Sequence, residues 1–187
     1  MAKEIFTTSS FTLIEANTEK LELLQEIDEA FISVLGSENG KQVSYYKCKD
    51  GVPTGNGIYK ENTSFEFEPE LRFCRTLDSL VDKQYDLIKM DVQGAELDII
   101  KGGDKTIKEA EYLLLELQTS VYNIGAPMAS EVVSYLNDIS FTICDIFDLM
   151  YDQKGQLIQT DVLFRNGEIN ESQRRNRNTK RIFTLKT

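Results

Sequence analysis

The chain has 187 residues, 41% of them hydrophobic, which suffices for one sizeable core and sits within the roughly 100–200 residues of a single domain. A net charge of −10 and a pI of about 4.6 argue against a general nucleic-acid or anionic-membrane surface. The absence of histidine excludes Ser-His-Asp and Cys-His machinery and any His-ligated metal, so acid–base chemistry falls to carboxylates, Lys, Tyr or Cys. Cys48, Cys74 and Cys144 stand far apart with no paired spacing, and are read as reduced thiols rather than a disulfide framework or a thiolate metal site. No apolar run approaches the ~20 residues of a membrane span, and the first residues lack the apolar core of a signal peptide. A soluble, cytoplasmic protein is expected.

Phe11-Thr12-Leu13-Ile14 is an apolar run that stops on Glu15 and predicts a strand. Asn17 is placed to cap the following helix, whose apolar face is Leu21, Leu24 and Ile27. An acid at such a strand end accepts hydrogen bonds from ribose hydroxyls in nucleotide-binding sheets, although a solvated loop glutamate explains the same pattern. Ala30 to Leu35 reads as a buried strand, followed by the turn cluster 36–40. Val43 to Tyr46 predicts a short, locally paired strand, and the glycine-rich stretch 50–64 an irregular loop of the length used for lids and binding loops.

The most informative stretch is 86–103. Leu87, Ile88, Met90 and Val92 make a strand interrupted by Lys89, and Asp91 sits near its carboxyl end. Gly94 then turns the chain into a helix with Leu97, Ile99 and Ile100 inward, closed by Gly102-Gly103. Tyr112 to Leu115 is a third strand stopping on an acid, Glu116. Continuous apolar strands alternating with amphipathic helices indicate an α/β fold with a mostly parallel sheet covered on both faces. In such sheets ligands bind at the carboxyl ends of the strands. A helix is predicted from Ser130 to Asn137, and 141–150 with 157–164 flank the turn Asp152-Gln153-Lys154-Gly155 as an antiparallel hairpin. Residues 165–187 hold seven Lys/Arg against two Asp/Glu, while the preceding residues hold 14 against 29. The expectation is one domain over 1–164 and a polar, basic C-terminal tail over 165–187.

Ile88-Lys89-Met90-Asp91-Val92-Gln93-Gly94-Ala95-Glu96, with Leu97 and the Lys101-Gly102-Gly103 ending, resembles the signature of FkbM-type S-adenosylmethionine-dependent methyltransferases. Thr76-Leu77-Asp78 stands where that family has its Thr-Leu-Asp, Phe11 to Glu15 resembles its second strand and acid, and Leu115-Glu116 its fifth. Gln159 to Phe164 resembles the closing strand. The resemblance implies a Rossmann-like class I methyltransferase sheet, S-adenosylmethionine as cofactor, and a small-molecule or sugar hydroxyl as acceptor, whose proton a base or a metal takes; no residue is assigned as a metal ligand. It implies that Glu15 holds the ribose, that Gly36 and Ser37 lie beside the adenine, and that Asp91 faces the methionine end or the acceptor. Asp91, Glu96 and Glu116 are the carboxylates available for proton transfer; acids at strand ends and helix N-termini also serve as caps, and Glu96 suits that role.

Two departures from the family stand out. Gln93 replaces a frequent Glu, and the opening strand with its Val-Gly-Ala-Asn-x-Gly type of turn is not found among the ten residues before Phe11. The expected sheet therefore lacks its first strand and helix, and the edges so exposed are a candidate contact for a second copy. Three explanations follow: a longer parent protein, a partner that supplies the missing part, or a fold that persists without binding the cofactor well. The corresponding functions are an O-methyltransferase, or a catalytically incomplete domain acting as a binding or assembly module.

Overall fold

The computed structural model describes residues 9–24, 29–49, 55–169 and 181–186. Its centre is a seven-stranded sheet of β1 (Ser10–Glu15), β2 (Glu29–Ile32), β5 (Leu87–Asp91), β6 (Tyr112–Gln118), β7 (Phe141–Tyr151), β8 (Leu157–Asn166) and β9 (Arg181–Lys186). Strands β3 (Gln42–Cys48) and β4 (Phe67–Phe73) form a separate antiparallel pair. The helices are α1 (Leu21–Leu24), α2 (Leu77–Leu80), α3 (Glu96–Gly102), α4 (Asp104–Lys108) and α5 (Ala129–Asp138).

The strand order is β2-β1-β9-β5-β6-β8-β7. Pairings among β2, β1, β9, β5 and β6 are parallel, and β8 joins β6 and β7 antiparallel, as the apolar runs and the turn at 152–155 predict. The mixed α/β fold is that of a Rossmann-like methyltransferase.

The centre of the sheet corrects the expectation in two respects. The place between β1 and β5, expected to be vacant, is filled by β9, which runs parallel to both neighbours. The last residues are therefore not a tail: β8 continues to Asn166, and Arg181–Lys186 returns to the middle of the sheet. Ile182, Phe183 and Leu185 are buried, and each contributes on the order of 1.5–3 kcal/mol by removing its side chain from water, an upper estimate. Asp86 anchors the start of β9, its Oδ2 accepting the Arg181 amide at 2.6 Å. The Phe183 ring lies 4.9 Å from that of Tyr85. The basic run 173–178 lies outside the described residues. With the centre filled, the edges of the sheet are β2 and β7 rather than strands flanking a gap.

Because successive side chains alternate across a strand, each face is read from the register. On one face Ile14, Phe183, Leu185, Ile88, Met90, Leu113 and Leu115 join the buried residues of α2 to α5 in one cluster. On the other, Leu13, Leu87, Leu114 and Leu163 are only half-buried. Short segments position the helices. Asp78 accepts the Lys105 and Thr106 amides at 3.0 and 2.9 Å, capping α4, which gives the Thr-Leu-Asp segment a structural role. A Cβ on Gly102 would strike the Gly36 carbonyl and one on Gly103 the Leu77 side chain, so the glycine pair lets α3 close against both.

Candidate functional site

Strand β5 ends on Asp91, and the chain then passes through Gln93 at φ 52° and Gly94 at φ 93° before α3 begins. The left-handed turn at a non-glycine residue costs on the order of 1–3 kcal/mol, and it lets Gln93 reach back over the strand ends. The Gln93 Nε2 donates to Asp91 Oδ1 and to Glu116 Oε2, each at 3.3 Å, and Gln159 Nε2 approaches the same Glu116 oxygen at 3.4 Å. Two of the predicted acids, Asp91 on β5 and Glu116 on β6, are thus brought together at the carboxyl edge and held by one amide.

Asp161 joins them. It stands directly across from Glu116 in the antiparallel register, with Lys89 Nζ at 3.9 Å. Burial, with the charges of Asp148 and Asp91, pushes its carboxyl above the ordinary range, while Lys89 pulls the other way. Alternation puts Lys89, Asp91, Glu116 and Asp161 on the less covered face of the sheet. Among the described residues no group of three acids or thiols has the arrangement of a metal-ligand set.

The third predicted acid, Glu96, is placed differently. It lies in the first turn of α3, 3% exposed, and its Oε1 accepts the Val92 amide at 3.4 Å. Burial raises its pKa to about 8, against the pull of backbone amides and with a smaller push from Glu116. The side chain ties the end of the strand to the start of the helix and is protonated at neutral pH.

Glu15 ends β1 as expected, in the same row as Asp91 with Lys186 of β9 between them. It is buried. Its Oε1 accepts the Asn17 amide at 2.9 Å and its Oε2 lies 3.4 Å from Lys20 Nζ. Gly36 and Ser37 line a recess of about 210 Å³ together with Lys41, Tyr59 and Asp98. The Tyr59 hydroxyl donates to Asp98 Oδ2 at 2.7 Å, and burial with that bond raises the phenol well above its usual range. A second, nearly filled crevice of about 20 Å³ lies where the strand order reverses, lined by Ile14, Ala16, Tyr45, Val92 and Leu185. Ile58 borders both spaces.

The segment carrying Ile58 closes the edge. Gly57 pairs with Tyr46, a Cβ on Gly57 would press on Gln93, and Glu61 bridges to Asn123, whose side chain packs against Gly94. The described part of the predicted 50–64 loop therefore lies over the signature turn.

Sequence reasoning missed Asp161, Gln159 and Tyr45. A signal existed for the first two, since Gln159 and Asp161 stand at alternate positions of a predicted strand and so share a face.

Residues 4–143 match the family described as the methyltransferase FkbM domain. The chain belongs to that family. The match spans Glu15, the signature turn and Glu116 of the FkbM domain, and it ends before β8 and β9. Comparison with curated proteins and with solved structures finds no match. No helix among the described residues is long and apolar enough to cross a membrane.

The FkbM family is generally S-adenosylmethionine-dependent, and the chemistry of the crevice fits an adenosine: a buried carboxylate beside it, a buried tyrosine hydroxyl with no hydrogen-bond partner, and apolar walls. Its size in this closed form does not. Ligand pockets of this class measure about 300–1,000 Å³, against about 20 Å³ for the crevice and about 210 Å³ for the recess.

Proposed function

We propose that this FkbM domain transfers a methyl group from S-adenosylmethionine to a hydroxyl of a small molecule or sugar. The observation that carries the reading is the pairing of Asp91 and Glu116 by Gln93 at the carboxyl edge of β5 and β6, on the family's signature turn. The cofactor supplies an electrophilic methyl. The chain's part is to hold the acceptor oxygen in line with it and to take the hydroxyl proton. Asp91 and Glu116 are the acceptors for that proton, Asp161 lies beside them, and the surplus of carboxylates over Lys89 suits a neutral polyol better than an anionic acceptor. Glu96 is the poorest base of the three predicted acids near neutral pH, because burial favours its protonated form.

Glu15 holds the ribose in this reading, exchanging its contacts with Asn17 and Lys20 for sugar hydroxyls, with Gly36 and Ser37 beside the adenine. Glu15→Gln is expected to weaken S-adenosylhomocysteine binding by about 1–3 kcal/mol, the scale of a charge-assisted hydrogen bond, without changing the fold. Radiolabelled methyl transfer from S-adenosylmethionine to a panel of sugars and polyols tests the activity. Asp91→Asn should lower the rate by about 10²- to 10⁴-fold; a variant as active as the wild type would remove Asp91 from the reaction. The nearly filled crevice favours the second reading, a module that binds without catalysis, and the absence of any cofactor binding would leave that one standing.

A further inference from the structure

The β3–β4 pair packs against the carboxyl edge of the sheet and delivers one large side chain to the crevice, Tyr45, which is 1% exposed. Its ring is held from behind, with the Arg72 guanidinium 5.5 Å from the ring centroid and itself donating to the Ala16 carbonyl at 3.4 Å. Its hydroxyl has no hydrogen-bond partner. The Asn56 side chain lies near it and weakly opposes the rise in the phenol pKa, with its carboxamide oxygen taken by the Cys48 amide at 2.8 Å. Burial and the nearby Glu15 charge both disfavour loss of the phenol proton, so the group remains a donor at any physiological pH.

A hydroxyl in this state weakens the fold rather than supporting it. Burying a donor without a partner destabilises the folded state, and buried polar groups in folded proteins are nearly always paired. Phenylalanine would fill the same space without that cost. The hydroxyl gains a use only when an acceptor enters the crevice, and the flanking acid defines which one. Glu15 accepts hydrogen bonds and cannot donate them; Tyr45 donates. A carboxylate beside a phenol is complementary to a vicinal diol, whose hydroxyls donate to the first and whose oxygen accepts from the second.

We propose that Tyr45 is a further ligand-binding residue of this site, its hydroxyl donating to a ribose oxygen of the bound nucleoside while Glu15 accepts from the ribose hydroxyls. The assignment rests on the cofactor reading above and adds to it a residue outside the signature. The carboxyl-end row of β1, β9 and β5 then presents an acceptor, and the β3–β4 pair a donor, to the two sides of one sugar.

The test is Tyr45→Phe, measured twice: by thermal unfolding without ligand, and by calorimetric titration with S-adenosylhomocysteine beside the wild type and Glu15→Gln. The expected result is an unliganded melting temperature equal to or above that of the wild type, with S-adenosylhomocysteine bound about 5- to 20-fold more weakly, the fold-change of one lost hydrogen bond. Unchanged affinity in Tyr45→Phe with weakened affinity in Glu15→Gln would overturn the role of Tyr45 and leave the cofactor reading intact. A fall in the unliganded melting temperature would show that the hydroxyl is satisfied within the fold, and would also overturn it. No binding by the wild type would remove the cofactor reading and this proposal together.

Discussion

Glu96 makes the clearest residue-scale prediction, because its proton is held more tightly in the folded chain than in the unfolded one. Its folded pKa of about 8 lies above the ordinary glutamate value of about 4.3. Where a folded pKa is raised in an acid, the folded state binds the extra proton, and stability falls as pH climbs from the unfolded value toward the folded one. The window here is about pH 4.5 to 8. Glu96→Gln mimics the neutral form throughout, so its melting temperature should match the wild type near pH 5 and exceed it increasingly toward pH 8; a constant difference would show that Glu96 ionises normally. Gln93 gives a second prediction. Gln93→Glu replaces two donated hydrogen bonds with a third carboxylate against Asp91 and Glu116. Like charges at that range disfavour ionisation, so urea midpoints should fall by an amount equivalent to about 1–3 kcal/mol at pH 8 and by much less at pH 5. Equal losses at both pH values would mean that the amide holds no charges apart.

At the scale of elements, β9 determines whether the sheet is whole. It is the strand at which the order reverses, and its loss would separate the β1–β2 pair from the β5–β8 block. Phe183→Ala empties a fully buried site against Tyr85 and should cost about 3–5 kcal/mol in chemical unfolding. Thr184→Pro removes a ladder donor from a strand paired on both sides and should abolish cooperative unfolding. Melting of the proline variant close to the wild type would show that β9 is dispensable. The elements legible in the sequence were those marked by a local apolar pattern: β1, β2, β3, β5, β6, α3, α5 and the β7–β8 hairpin. Strand β9 was not, because its few apolar residues follow a long polar stretch and its anchor, Asp86, lies 95 positions away. Strand β4 was hidden by Glu68, Pro69 and Glu70, residues that disfavour strands and are tolerated here on an exposed pair.

For the whole molecule, the same limits separate the parts of the site that sequence reveals from those it conceals. Asp91, Glu116 and Glu15 are visible as acids that stop apolar strands, since that position depends only on local order. That Asp91 and Glu116 share one amide, and that Asp161 faces Glu116, depends on register between strands, which a single chain of letters does not contain. The Tyr45 hydroxyl depends on how the β3–β4 pair is laid against the sheet. The family signature likewise places the carboxyl edge of the candidate site but not the strand that completes the sheet, since the matched region ends at residue 143. The proposed function requires this FkbM domain to take S-adenosylmethionine at a crevice that is nearly filled. Calorimetric titration of the wild-type chain with S-adenosylhomocysteine tests this most directly. Saturable binding of one equivalent, weakened in Glu15→Gln, is the predicted result; no heat of binding at millimolar ligand would contradict it.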